Sequence, residues 1–498
     1  MGDPPVIGIL CDGLRPDSVR EAWMPNLCAM ARAGVRFLRH RSVFPTSTRV
    51  CVSSLGTGVH PRKHGLPGNA LFAREMRPPR PISTGAAEDL DAWSRALGGR
   101  LLLRRNIFQR LGRRRGGAVV SVASSGSARL WTSAGGAALF HPESPGGLGP
   151  AAGLELAAGL GPGAEEALGP LPADGIPALA RCRYALRLAA EVVLPRLRPR
   201  LLIVHLSEPD STQHAAGVGG RLHRRTLRGL DRLIGEFAEG LERAAPGGRA
   251  NLLVFSDHGA ASVIERVDIE AELRAAGLKG MGRAWAVAHS EGAALFYARG
   301  EDMRPLLPVA EFLRTRPWAG PLFSRDGRGA EGRIPGSFSL RLAGCGGPRG
   351  PDLLMPFGWE GKGAGRAYSS VKNKGAGGTH GSCSPFELHN TLIARGPAFR
   401  RGAEVDRPSG NVDIAPTLLA LCGLPPPGAG PGPGARGGGL DGRPLWEGLR
   451  GRRAPAGKIA EETFRVEGRS GAGAYLQTLR RTRAGERFFL DFAQIERG

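Results

Sequence analysis

The chain has no hydrophobic segment long enough to cross a membrane. No uninterrupted apolar run reaches the roughly 18 residues that a membrane-spanning helix needs, although 41% of its 498 residues are hydrophobic. Residues 1–5 carry no basic cluster, and the apolar run Val6–Leu10 is too short for the core of a signal peptide. We therefore expect a cytoplasmic protein without a membrane span.

Cysteine is scarce, and its spacing forms no recognisable pattern. The seven cysteines are odd in number and widely scattered, and no two of them form a C-x-x-C pair. The sequence therefore indicates neither a disulfide framework nor a zinc finger.

Lysine is rare in a chain that is otherwise strongly basic. Lys and Arg together number 68 against 45 acidic residues, a net charge of +23, but only six of the 68 are lysines. The same chain is rich in Gly (77) and Pro (40), so the bias towards arginine is the one that GC-rich coding produces. The densest basic stretch, residues 104–115, has Phe108 as its only aromatic and matches no nucleic-acid motif. We expect no dedicated nucleic-acid partner, and a basic nucleic-acid-binding protein is the non-enzymatic alternative.

Short apolar runs alternate with helical patterns along the chain. Four runs are typical of buried parallel strands: Val6–Leu10, Ala118–Val120, Leu201–Val204 and Leu252–Phe255. Pro25 and Gly34 bracket one predicted helix, and another runs from about Tyr184 to Leu194 and ends at Pro195. A third helix is predicted by the apolar stripe Leu227, Leu230, Ile234, Phe237 and Leu241. This alternation predicts an α/β sheet with helices on both faces.

The composition also divides the chain. We predict a catalytic α/β core formed by residues 1–264 and 380–450, interrupted by an inserted cap at residues 265–379 that is rich in Gly and Arg. Two Gly/Pro-rich stretches, 144–177 and 425–439, are predicted to be loops. Residues 451–498 form a C-terminal extension that could be a packed hairpin or an arm for oligomerisation.

Acidic and histidine residues follow three of the four predicted strands. Asp12 comes after the first strand, Asp210 and His214 after the third, and Asp257 with His258 after the fourth. Ligands of α/β sheets bind at strand ends, and mixed carboxylate and imidazole ligands suit a cation such as zinc. Each residue alone also fits a turn or a helix cap. Together they predict a metal site.

Six short blocks occur in the order in which a known enzyme family carries them. The blocks are Asp12-Gly13, Phe44-Pro45-Thr46-Ser47-Thr48, the stretch from Thr57 to Gly65, Glu208-Pro209-Asp210 with His214, Ser256-Asp257-His258-Gly259 and Gly378-Thr379-His380-Gly381. In this combination the chain resembles the nucleotide pyrophosphatase/phosphodiesterase branch of the alkaline phosphatase superfamily. The resemblance covers most of the chain. It implies a three-layer α/β/α sandwich with a mostly parallel central sheet and a smaller cap.

The resemblance also implies a role for each matching residue. One zinc ion would be held by Asp210, His214 and His380, and a second by Asp12, Asp257, His258 and the hydroxyl of Thr48. Thr48 lies nine residues before Thr57, where the family keeps its nucleophile, and Asn69 lies twenty-one residues after Thr48. At that position the family has an Asn that donates to the phosphoryl oxygen. Zn²⁺ is the expected metal, and another divalent cation such as Mn²⁺ is the alternative.

One block departs from the eukaryotic pattern. Arg49-Val50-Cys51 follows Thr48 where eukaryotic relatives have Phe-Pro-Asn, and bacterial members are closer to the present sequence. Arg49 is either a phosphate contact, which would favour a dianionic monoester, or an ordinary charge on a helix face.

The implied activity is hydrolysis of phosphodiester or pyrophosphate bonds through a covalent phospho-threonine intermediate. The expected substrate is a small anionic phosphoester such as a nucleotide. A phosphonate hydrolase that cleaves a carbon–phosphorus bond and a phosphomonoesterase are the enzymatic alternatives. A sulfatase is disfavoured because no Cys or Ser is followed by x-Pro-x-Arg. The sequence leaves the oligomeric state open.

Overall fold

The structure is a computed structural model that describes residues 4–112, 116–132, 137–141, 165–244, 249–278, 283–361, 364–373, 375–425, 439–453, 457–471 and 473–498. Most of the two predicted Gly/Pro-rich loops, residues 144–164 and 426–438, lies outside these ranges. The described remainder of the first loop contains one short helical turn at 165–168.

An eight-stranded sheet forms the centre of the molecule. Its strands are β1 (Val6–Cys11), β2 (Val35–Phe37), β3 (Gly117–Ser121), β4 (Ala138–Phe140), β5 (Leu201–Leu206), β6 (Asn251–Phe255), β7 (Leu392–Arg395) and β8 (Ala403–Val405). They lie in the order β8-β2-β7-β6-β1-β5-β3-β4. Only β7 runs against its neighbours, and the other pairs are parallel. All four predicted strands are part of this sheet.

Helices cover both faces of the sheet because its central strands are apolar on both sides. Along β1, Val6 and Leu10 join one hydrophobic core, whereas Ile7 and Ile9 join the other. The first core is completed by the helices Thr48–Thr57, Ala87–Ala96, Ile107–Leu111, Ser125–Thr132 and Ile414–Leu421. The second is completed by Pro25–Ala33, Leu179–Leu197 and Arg221–Ala244. The predicted α/β/α sandwich with a mostly parallel sheet is thereby confirmed.

The helix predicted to end at Pro195 continues through it. The α-helix Leu179–Arg187 passes into a wider π-helical stretch, Leu188–Val193, and then into a last turn, Leu194–Leu197, that contains Pro195. A proline has no N–H to donate to the hydrogen bonds of a regular helix. The π-helical stretch lies just before Pro195, the residue at which this donor is missing. The other helix boundaries that the sequence predicted, at Pro25 and Gly34, agree with the structure.

Two smaller sheets arise mainly from the region predicted as a cap. Five strands form one of them: Trp285–Ser290, Ala293–Ala298, Phe323–Ser324, Phe338–Ser339 and Leu353–Pro356. Four form the other: Ala261–Val267, Trp359–Glu360, Arg366–Ser370 and Gly378–Thr379. Helices Ile269–Ala275 and Leu307–Arg314 accompany them. The predicted boundary at residue 264 falls inside a strand, so the division into core and cap stays a prediction.

Several short elements complete the description. They are the helices Pro61–His64, Asp210–Ala216 and Pro385–Leu388, the paired strands Ala70–Ala73 and Arg80–Ser83, and the pair His40–Arg41 and Ser409–Gly410. In the described part of the chain, no helix is both long and apolar enough to span a membrane.

The C-terminal extension is a three-stranded antiparallel sheet that packs against the rest of the chain. Its strands are Ile459–Ser470, Gly473–Ala484 and Arg487–Arg497. The Arg41 guanidinium forms an ion pair of 3.0 Å with Asp491, and both side chains are largely buried. The indole N–H of Trp359 donates to the carbonyl oxygen of Ala493.

Candidate functional site

Three neighbouring strands of the central sheet end at one edge and each leads to an aspartate. β1 lies between β5 and β6, and all three run in the same direction. Their carboxyl ends are therefore adjacent, and they lead into Asp12, Asp210 and Asp257. Asp12 and Asp257 are almost fully buried. The sheet topology thus concentrates three carboxylates at the position where α/β sheets bind ligands.

A glycine lets the first two of these strand ends approach closely. Gly13 has a φ of +73°, and a Cβ atom there would lie 2.5 Å from the side-chain oxygen of Gln213 and 3.1 Å from Asp210 Cβ. The backbone N–H of Asp210 donates to the carbonyl oxygen of Asp12 over 3.0 Å. A larger residue at position 13 would separate the two carboxylates.

Three histidines complete the cluster, and each is oriented by a backbone carbonyl. His258 Nδ1 lies 2.8 Å from the carbonyl oxygen of Gly259, His380 Nδ1 lies 2.8 Å from that of Thr46, and His214 Nδ1 lies 3.2 Å from that of Gly378. A carbonyl can only accept, so each Nδ1 carries a hydrogen, and in the neutral ring the Nε2 lone pair faces the aspartates. This is the arrangement that metal-binding histidines adopt.

The atoms that face one another at the centre are nearly all acceptors. Asp12 Oδ1 and Asp257 Oδ2 lie 3.4 Å and 3.2 Å from His258 Nε2. Asp210 Oδ2 lies 3.3 Å from His214 Nε2, and Asp210 Oδ1 lies 3.7 Å from His380 Nε2. The Nε2 atoms of His214 and His380 are 3.1 Å apart.

Three oxygens of this cluster have no hydrogen-bond donor among the described residues: Asp12 Oδ1, Asp210 Oδ1 and Asp257 Oδ2. Orphaned buried acceptors are rare and costly. A divalent cation satisfies several acceptors at once, and carboxylate oxygen with imidazole nitrogen fits zinc or a similar ion. Two groups have the required proximity: Asp210, His258 and His380, and Asp12, Asp257 and His258.

The grouping differs in detail from the predicted division of ligands. His258 belongs to both groups, whereas the family resemblance implied that it binds only one of the two cations. His214 is in neither group, although its Nε2 contacts Asp210 and His380. All six predicted ligand side chains are therefore together at one site, and their division between two cations stays a prediction.

The electrostatics of the cluster also favour a cation. Burial and the negative charge of Asp257 raise the pKa of Asp12 well above its ordinary value, and burial and the charge of Asp210 raise the pKa of Asp257 to about 7. Burial opposes the ionisation of Asp210, but His214 and His380 outweigh it and lower its pKa. Burial likewise opposes charge on His214, but Asp210 raises its pKa to about 9. The carboxylates thus repel one another, and a bound cation would remove that repulsion.

Thr48 places its hydroxyl directly beside this cluster. It is the first residue of the helix Thr48–Thr57, and its Oγ1 lies 3.1 Å from His258 Nε2. Two residues earlier, Thr46 binds the segment that contains His380. Its carbonyl oxygen accepts from the His380 ring, and its hydroxyl oxygen accepts from the Gly381 N–H. One short segment therefore positions both the hydroxyl and a predicted metal ligand.

Asn69 lies on the same side of the cavity as Thr48. Its Oδ1 accepts from the backbone N–H of Arg49 over 3.1 Å, which fixes the orientation of the amide. Its Nδ2 donates to Glu291 over 3.1 Å. An amide nitrogen has two hydrogens, so one of them remains for another acceptor. Thr48 and Asn69 both line a cavity of about 1220 Å³.

Two residues of the site were missed by the sequence analysis. His205 lies inside β5, where a histidine is usually an ordinary core residue, but its Nε2 lies 3.4 Å from Asp12 Oδ2. Glu291 was not singled out. It lies at the tip of the hairpin between Trp285–Ser290 and Ala293–Ala298 with a φ of +22°, and no sequence signal indicates where that tip points.

Comparisons with known proteins place the chain in a sequence family. A sequence model of the type I phosphodiesterase/nucleotide pyrophosphatase family matches residues 6–314. Venom phosphodiesterase 2 of Crotalus adamanteus is 26% identical over 267 residues, which are 51% of this chain and 26% of that protein. Ectonucleotide pyrophosphatase/phosphodiesterase family member 3 of Mus musculus is 22% identical over 267 residues, 51% of this chain and 25% of that protein. The aligned part thus spans about a quarter of the length of these curated relatives.

Solved structures show the same fold. Murine ectonucleotide pyrophosphatase/phosphodiesterase 5 has a TM-score of 0.59 at 16% identity, over 84% of this chain and 95% of that chain. An inactive threonine-to-alanine variant of the same murine protein, in complex with AMP, has a TM-score of 0.58 at 16% identity, over 85% of this chain and 96% of that chain.

Proposed function

Because the chain belongs to the type I phosphodiesterase/nucleotide pyrophosphatase family, we propose that it hydrolyses phosphodiester or pyrophosphate bonds with two divalent cations and a covalent phospho-threonine intermediate. The observation that carries the proposal is the Thr48 hydroxyl, 3.1 Å from His258 Nε2, beside three buried carboxylate oxygens without donors in the described chain. The AMP in the complex of the murine neighbour supports a nucleotide-like substrate. The cytoplasmic location stays a prediction from the sequence.

The proposed cation sites use the chain's own donors. Asp210, His214 and His380 would hold one cation, and Asp12, Asp257, His258 and Thr48 would hold the other. Zn²⁺ fits this set, and Mn²⁺ is the alternative. When bound, the two cations lower the pKa of the Thr48 hydroxyl and neutralise charge on the phosphoryl and leaving oxygens.

In the proposed reaction, Thr48 Oγ1 loses its proton to solvent and attacks phosphorus, and the bond from phosphorus to the leaving oxygen breaks, so that the leaving group departs with the bonding electron pair. A water molecule then attacks phosphorus and loses a proton to solvent. The bond from phosphorus to Oγ1 breaks, and Oγ1 takes up a proton from solvent, which restores the Thr48 hydroxyl. Asn69 would donate its remaining amide hydrogen to a phosphoryl oxygen as negative charge accumulates there. Glu291 and the Arg49 N–H keep that amide in its orientation.

The proposed reaction is tested with three substrates. We expect hydrolysis of bis(p-nitrophenyl) phosphate with a kcat/KM at least about 100-fold above that for p-nitrophenyl phosphate, because both release p-nitrophenolate but only the diester has the single negative charge and the second ester group of the predicted substrate. Phosphonoacetate should release no phosphate. Cleavage of phosphonoacetate would favour the phosphonate hydrolase, and a preference for the monoester would favour a phosphomonoesterase. Turnover of none of the three, together with tight binding of nucleic acid, would favour the non-enzymatic alternative.

Asn69→Ala should lower kcat by roughly 10²- to 10³-fold with a smaller effect on KM, because the lost hydrogen bond strengthens mainly in the transition state. Steady-state kinetics with bis(p-nitrophenyl) phosphate measure both constants. Asn106→Ala is the matched control, since Asn106 is also buried but caps the helix Ile107–Leu111. Equal kinetics for Asn69→Ala and the wild type would remove Asn69 from the reaction.

A further inference from the structure

Arg49 lies in the proposed active site, where neither the metal sites nor the nucleophile uses its side chain. It follows Thr48 in the same helix, and it lines the cavity together with Asp12, Thr48 and Asn69. Its backbone N–H is already bound to Asn69, so the position of the residue is fixed. Its side chain is half-buried.

The guanidinium of Arg49 has no ion-pair partner in the described part of the chain. Its Nε is buried there without a hydrogen-bond acceptor. The positive charge of Arg49 acts on two carboxyl groups from a distance. Burial opposes the ionisation of Glu291, but Arg49 is the group that does most to lower its pKa. Arg49 also acts to lower the pKa of Asp12. Neither carboxylate forms a salt bridge with Arg49. A partly buried guanidinium without an ion pair loses hydration and regains only part of that cost from such longer-range attractions.

Gly85, a residue without a side chain, lies next to this guanidinium. A Cβ atom added to Gly85 would lie 3.5 Å from the terminal nitrogen Nη2 of Arg49. Gly85, Ser83 and Ser125 line the same cavity. Hydroxyl groups and a guanidinium fork are both good donors to phosphate oxygens, and the fork can donate two parallel hydrogen bonds.

We propose that Arg49 is a specificity-determining residue that binds anionic oxygens of a second phosphate group, so that the site favours pyrophosphate bonds over simple phosphodiesters. The inference rests on the proposed function and names the substrate class within it. A simple diester has one negative charge, for which the proposed cations and Asn69 already provide partners. The substrate's second phosphate supplies the anion that the Arg49 side chain lacks.

The test compares Arg49→Ala with the wild type on ADP-ribose, which has a pyrophosphate bond, and on bis(p-nitrophenyl) phosphate, which has one charged phosphate. We expect kcat/KM for ADP-ribose to fall roughly 10- to 100-fold, because charge-assisted hydrogen bonds are lost. The value for the diester should change less than about 3-fold. The Kd of inorganic pyrophosphate, measured by calorimetry, should rise by a similar factor as ADP-ribose turnover falls. Arg49→Lys should show an intermediate loss, since it keeps the charge without the fork.

Arg181→Ala is the matched control. Arg181 lines the same cavity, but its Nε already donates to the carbonyl oxygen of Pro172, so its loss should leave the substrate preference unchanged. Equal losses on both substrates, no loss on either, or a loss confined to p-nitrophenyl phosphate would each overturn the assignment of Arg49. A wild-type enzyme that cleaves neither ADP-ribose nor the diester would instead contradict the proposed function.

Discussion

Thr48→Ala should lower kcat by roughly 10⁴-fold or more, while the purified protein keeps its metal. The reason is that the hydroxyl is the proposed nucleophile, for which alanine offers no substitute, whereas six other side chains would still hold the cations. The helix that begins at Thr48 should persist, because alanine is a strong helix former. Hydrolysis of bis(p-nitrophenyl) phosphate and elemental analysis of the same preparation measure the two properties separately.

Two variants make this result specific to the Thr48 hydroxyl. Thr48→Ser retains a hydroxyl at the same position and should keep measurable activity. Ser53→Ala removes another buried hydroxyl of the same helix, one that donates to the carbonyl oxygen of Arg49, and should leave kcat close to the wild-type value. An active Thr48→Ala enzyme would show that another group attacks phosphorus.

Asp257→Asn and His380→Ala should each lower the metal content from about two to about one ion per chain and reduce the rate at least about 100-fold. Asp257 Oδ1 accepts from the backbone N–H groups of Gly13 and His258, so it is Oδ2 that remains for a cation. An amide at this position removes the negative charge but preserves the shape. His380→Ala removes the Nε2 atom that faces His214 and Asp210.

Asp413→Asn is the control for the loss of a buried carboxylate. Asp413 is also fully buried, and burial raises its pKa to about 6, but its oxygens accept from the backbone N–H groups of Arg443 and Gly410. We expect this variant to keep its metal even if its thermal stability falls. Unchanged metal content in both Asp257→Asn and His380→Ala would remove these residues from the proposed sites.

The cluster of proposed metal ligands could be predicted from the sequence because most of its residues follow strand ends. Apolar runs as continuous as β1, β5 and β6 are buried on both faces, and parallel neighbours must end at the same edge. Asp12, Asp210 and Asp257 therefore come together as a consequence of topology. Thr48 could be predicted only from the spacing of its block, since a Thr at the start of a helix usually has a structural role.

The remaining parts of the site depend on tertiary contacts that leave no periodic signal. His205 lies inside β5 opposite Leu10 of β1, and its contact with Asp12 depends on the register of these two strands and on where β1 ends. Glu291 contacts Asn69 because the hairpin formed by Trp285–Ser290 and Ala293–Ala298 places its tip beside the carboxyl ends of the central strands. Pro195 does not end its helix because a π-helical stretch precedes it. Such features follow from packing between distant segments rather than from local sequence.

Diffraction from crystals grown with zinc, measured on both sides of the zinc absorption edge, tests the central claim most directly. We predict two anomalous peaks, one in contact with Asp12, Asp257 and His258 and the other in contact with Asp210, His214 and His380. The Thr48 hydroxyl should lie within bonding distance of the first peak. No peak among these side chains at saturating zinc, or peaks only at other positions on the protein, would contradict the account.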